Sequence, residues 1–74
     1  MKINKGEIIL LDNKKEYICI STIINEKIKY IYLISNFKPI EIKFGKINNN
    51  EITIINDKNE KIKVLKLFQN KNDF

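Results

Sequence analysis

The stretch YICISTIINEKIKYIYLIS, Tyr17 to Ser35, decides how the chain folds. Two runs rich in β-branched and aromatic residues, which suit a pleated surface, flank the polar break Asn25-Glu26-Lys27. They read as two strands, over about 16–24 and 28–35, joined as a hairpin. Both faces of this ribbon are apolar, so each needs a cover. Register sorts the faces, because a slip of one residue sends every side chain to the opposite side. A loop of two or four residues gives one parity, the four-residue form pairing Ile23 with Ile28 and setting Tyr30 and Tyr32 opposite Ser21 and Cys19. A three-residue loop pairs Ile24 with Ile28 and gathers Ile18, Ile20 and Ile24 beside the two tyrosines. The three-residue loop is preferred, since Glu26 sits badly at the positive φ of a two-residue turn. Tyr17, Cys19, Ser21, Ile23, Lys27, Lys29, Ile31 and Leu33 then share the second face.

Working outward, EIILLD gives a first strand over about 7–11, after Gly6 and before the turn-prone Asp12-Asn13. Asn36 to Pro39 is a connector, because proline lacks an amide hydrogen and keeps Lys38 out of helical geometry. IEIKF alternates, with Ile40, Ile42 and Phe44 facing the core and Glu41 and Lys43 facing away, in a strand over 40–46. Gly45 is a candidate bulge, and Asn48-Asn49-Asn50 turns the chain into a fifth strand over 51–55, pairing Phe44 with Ile54. The period then changes. Asp57 to Glu60 matches a capping box, and Val64, Leu65 and Phe68 form an apolar stripe, which predicts a helix over about 58–69 with a frayed tail at 70–74. A sixth strand over 61–68 is the alternative, since KIKVLKLF partly alternates. The expected fold is mainly β: one domain, a five-stranded antiparallel SH3-like partial barrel with a C-terminal α-helix packed by Val64, Leu65 and Phe68.

Composition limits the chemistry. Ile, Lys and Asn make up 42 of the 74 residues, and Arg, His and Trp are absent. Codons for these three favoured residues are rich in A and T, so an AT-rich genome explains much of the net charge of +5. Without Arg there is no planar fork to read guanine or grip phosphate bidentately. Without His, the usual neutral-pH base and commonest metal ligand are missing. Cys19, the one cysteine, lies mid-strand with no imidazole to activate it and reads as a structural thiol. The carboxylates are scattered over turns and polar faces, and two glycines cannot build a phosphate loop. No catalytic residue, cofactor or metal is expected. MKINKGE has no apolar core of signal-peptide length, and no apolar run can span a bilayer, so a cytoplasmic protein away from membranes is expected.

The most informative side chains are the tyrosines and the lysines near them. Tyr17, Tyr30 and Tyr32 serve either as core residues with hydroxyls at the rim, or, with Lys27, Lys29 and Lys43, as a partner-binding surface. The segments KGEIILLDNKKEYICIS, KIKYIYLIS, INNNEITIIND and NEKIKVLKLF together resemble a set of small, mostly uncharacterised proteins of low-GC Gram-positive bacteria and their phages or mobile elements. That resemblance implies a small β-barrel and a genomic neighbourhood, and carries over no functional residue. Three functions follow. The first is a protein-interaction module, such as a phage accessory factor modulating a host protein, a defence nuclease being one special case. The second is a basic nucleic-acid-binding barrel, the third an enzyme. The first is preferred, with a host or phage protein as partner, nucleic acid as the alternative, and a homo-oligomer open to a domain this small.

Overall fold

The computed structural model describes residues 3–71. Its elements are β1 (Ile8–Leu10), β2 (Glu16–Asn25), β3 (Ile28–Ser35), β4 (Ile42–Asn48), β5 (Glu51–Ile54) and α1 (Lys58–Lys71). The strands form one sheet in the order β1-β2-β3-β4-β5, each antiparallel to the next, curled into a half-barrel. The expected partial barrel with a terminal helix is thus present, with a radius of gyration of 11.5 Å. Strand β4 starts two residues later than predicted, because the connector closes on itself first. Ser35 N–H donates to the Glu41 carbonyl at 2.8 Å, and Glu41 N–H donates to Ser35 Oγ at 2.9 Å. At the other end, Asn70 and Lys71 are helical, not frayed, and the rest of the predicted tail, 72–74, lies outside the described residues.

The turns follow from local chemistry. Gly6, at φ 92°, closes a turn in which Glu7 N–H reaches the Asn4 carbonyl. Gly6 N–H donates to the Cys19 carbonyl while Cys19 N–H donates to the Glu7 carbonyl, so Gly6 and Glu7 together face Cys19 as a glycine bulge. Between β1 and β2, Lys14 takes φ 64° after a tight turn closed by its N–H on the Leu11 carbonyl. Both hairpin loops that follow have two residues with positive φ, Glu26-Lys27 at 51° and 68° and Asn49-Asn50 at 47° and 67°.

These loops correct two predicted registers. Asn25 pairs with Ile28, so Ile23 lies opposite Tyr30 and Ser21 opposite Tyr32. The three-residue loop is not used: the twist of a two-residue turn matches the flanking strands, and that outweighs the reluctance of Glu26 for positive φ. Partway along, a bulge between Cys19 and Ser21 shifts the register, and Cys19 pairs with Leu33 and Tyr17 with Ser35. Ile20 is the extra residue, so β2 changes face at that point. In the second hairpin Gly45 pairs with Ile54, and Ile55 N–H meets the Phe44 carbonyl, so Phe44 faces Ile55, not Ile54. Gly45 is not a bulge either. A Cβ there would stand 3.2 Å from side-chain carbons of both Ile31 and Ile52, and its bare backbone makes room for them.

The change of face divides the interior into two cores. On the concave side, Tyr17, Cys19, Ile31 and Leu33 are fully buried, joined by Ile3 and flanked by Ile9, Leu11, Phe37, Ile52 and Ile54. On the outer side, Tyr30, Phe44 and Ile55 pack against Val64 and Phe68 of α1. The Phe68 ring meets Tyr32 edge-on at 5.7 Å and lies stacked on Phe44 at 6.0 Å.

The helix is real and docked, and the sixth-strand alternative falls. Asp57 Oδ2 accepts from Glu60 N–H at 2.8 Å, capping the first turn. The reciprocal half of the predicted capping box is absent, because Glu60 Oε2 accepts instead from Lys46 Nζ at 3.1 Å and ties α1 to β4. Val64 and Phe68 are buried as predicted, but Leu65 is 37% exposed and Leu67 takes its place. At 3.6 residues per turn Leu65 and Leu67 flank the Val64–Phe68 line at equal angles, and the docked helix is rolled so that Leu67 is the one that meets the outer core.

Candidate functional site

The six residues singled out from sequence do not form one surface. Tyr17 is fully buried in the concave core and Tyr30 is 4% exposed in the outer one. Tyr32 is half-buried between Phe44 and Phe68. The tyrosines therefore make packed walls and no stacking platform. Lys27 lies in the β2–β3 turn, and Lys29 Nζ donates to the Ile3 carbonyl at 3.2 Å. Lys43 stands apart from both. It is paired with Leu33 in the register, which puts it on the concave face, half-buried.

One end of the concave face is polar. Tyr17 Oη donates to Glu41 Oε1 at 2.8 Å and accepts from Asn13 Nδ2 at 3.1 Å. Burial pushes the Tyr17 hydroxyl above its ordinary pKa and the Glu41 carboxylate adds to the rise, while the Asn13 donor opposes it. Lys15 Nζ lies 5.1 Å from the Phe37 ring centre and 4.0 Å from Glu41 Oε2. These contacts seat Phe37 edge-on against Tyr17 at 5.6 Å and close that end of the half-barrel. The cluster holds Asn13, Lys15, Tyr17 and Glu41 against one another and pins the connector at 36–39 to the sheet. Among the described residues no three His, Cys, Asp or Glu side chains come together as a metal site. Cys19 is buried, its Sγ 3.6 Å from the Ser21 carbonyl.

The more suggestive feature is the seam between the two ends of the sheet. A cleft of ≈ 750 Å³ runs between the β1 end, with Leu10 to Asn13, and the β5 strand, with Asn50 to Ile54; Lys43 also lines it. Both walls are strand edges. Cys19 donates to Glu7, so ladder alternation turns the amide groups of Ile8 and Leu10 away from β2. By the same rule Ile55, bonded to Phe44, leaves the amide groups of Ile52 and Ile54 pointing away from β4. No strand among the described residues pairs with either edge.

A second uncovered feature lies on the outer face beyond the helix. Ile8, Ile18, Ile34 and Ile42 are successive cross-strand partners over four strands, with Ile8 58% and Ile42 54% exposed. The alternation read in IEIKF is present, but Glu41 and Lys43 are its half-buried side, and Ile40 and Ile42 its exposed one. Helix α1 covers Phe44 and stops short of these two. Exposed strand edges are expected of a small sheet from sequence, but sequence reasoning does not single out Leu10, Ile52 and Ile54, because which strands lie at the edge is a property of topology. No family model matches the chain, nor does any curated protein or solved structure. The resemblance to small Gram-positive and phage proteins therefore rests on the quoted residues alone.

Proposed function

We propose that the protein is a non-enzymatic binding module that engages another protein along the open seam of its sheet. One observation carries this reading: after both cores have formed, two strand edges still face each other across a cleft that β1 and β5 leave unfilled. Unpaired edges are templates for a further chain, and proteins ordinarily cover or blunt them. The buried tyrosines favour a protein partner over a nucleic acid, since base stacking needs exposed rings. The AT-driven composition suits an accessory protein of a phage or mobile element acting on a host protein in the cytoplasm. Among the described residues no helix is long and apolar enough to cross a membrane.

Capture from lysate of an AT-rich Gram-positive host, with and without nuclease and eluted in rising salt, tests the reading. A protein partner retained through nuclease and about 0.5 M salt is expected, because exposed charge pairs are largely screened there. Recovery of nucleic acid alone, lost as salt rises, overturns it in favour of a lysine-driven complex.

A further inference from the structure

The geometry points to a specific occupant of the seam: an extended peptide segment of the partner protein, entering as a sixth strand antiparallel to both β1 and β5, with one acidic side chain directed at Lys43. This rests on the interaction reading above and says where and how the contact is made.

Strand parity is the first argument. Five strands in up-and-down order leave β1 and β5 running parallel to each other. Direct closure would therefore need a parallel pair, whereas one added strand is antiparallel to both edges and keeps the pattern used throughout the sheet. The outward amide groups of Leu10 on one wall and of Ile52 and Ile54 on the other present the donors and acceptors that an extended backbone satisfies. The four residues of β5 span about 13 Å, so the inserted segment is short.

Side chains specify the rest. Leu11, Ile52 and Ile54 are only partly buried where they border the concave core, so inward residues of the new strand complete that core if they are apolar. Lys43 is the exception on the cleft wall. Its ammonium makes no ion pair or hydrogen bond among the described residues, whereas Lys15, Lys29 and Lys46 each have a partner. A lysine on the cleft wall that is itself half-buried and without a partner among the described residues favours a carboxylate. The exposed carboxylates of Asp12 and Glu51 also line the cleft and disfavour a segment with several acids, so one acid among apolar positions is the matching pattern.

The probe is a capped nonapeptide, KTVTDTVTK, with forms carrying Asn or Lys in place of its central Asp. Amide chemical shifts of the protein are followed on titration. Saturable shifts at Leu10, Ile52 and Ile54 are expected, with the Asp peptide binding about tenfold more tightly than the Asn one and more tightly still than the Lys one. Lys43→Gln should erase that order while leaving the shifts in place. Ile52→Pro removes an outward donor and no bond to β4, and should weaken every peptide about tenfold with the fold retained in thermal unfolding. Shifts confined to the outer Ile8 to Ile42 row, or no saturable shift with any peptide, overturn the proposal. Shifts at the seam that grow with protein concentration and need no peptide also overturn it, since a second copy would then be the occupant. The two readings separate in the capture experiment. A protein partner retained equally by wild type, Ile52→Pro and Lys43→Gln keeps the interaction module and removes the seam as its site.

Discussion

The two cores of this domain are closed by different means. The outer core is roofed by a separate element: α1 lays Val64 and Phe68 over Tyr30, Phe44 and Ile55, and a capped first turn with the Lys46–Glu60 contact fixes its angle. The concave core has no roof of its own and is enclosed by the curl of the sheet, with Phe37 and the Tyr17–Glu41 bond at one end. The helix buries the residues beneath it and ends short of the exposed Ile8 to Ile42 row on the same face. Closure by curvature stops where the strands run out, and the unfinished part is the cleft.

Phe68→Ala should do the greatest damage. It removes a fully buried ring stacked on Phe44 and edge-on to Tyr32, and a loss of about 3–5 kcal/mol in urea unfolding is expected. A domain of this size has little stability in reserve, so both cores should melt together. Separate transitions for the helix and the sheet would show that the concave core stands alone.

Gly45→Ala tests the concave side. The new methyl crowds Ile31 and Ile52 at 3.2 Å, and a destabilisation of about 1–3 kcal/mol is expected. Because Ile52 borders the seam, amide exchange along β5 should rise more than exchange in α1. Equal acceleration in both would mean that the cores are not distinguishable in this way.

The smallest effect separates the cores by pH. The folded-state pKa of Tyr17 is raised, so its contribution to stability is fully present below the unfolded value of 10.0 and is lost as pH rises through the folded value. An alkaline decline in melting temperature beginning near that pH is expected in the wild type, and it should flatten in Tyr17→Phe. A decline unchanged by the substitution assigns it to other groups.

Element types were legible because each rests on local pattern. The runs about Tyr17 to Ser35, the asparagine turn at 48–50 and the cap at Asp57 all act within a few residues. Register was not legible, for a physical reason. Both faces of β2 are apolar, so alternation gave no vote, and the bulge at Ile20 makes each half of the strand obey a different parity. Leu65 was mistaken for a core residue because it adjoins Val64 in sequence, and only the docked helix shows which side it presents. Of the candidate site, the sequence held Lys43 but not its setting. Its place on the concave wall depends on the register that sets it opposite Leu33, and the two edges of the seam meet only once the sheet has curled.

Cys19 gives the molecule a clock. It is the chain's sole cysteine, wholly enclosed beside Tyr17 and facing the bulge that turns Gly6 over β2. A thiol reagent reaches it only while that part of the half-barrel is open, so the rate of its alkylation counts openings of the concave side in an untouched protein. Whatever fills the seam will register as a slowing of that clock.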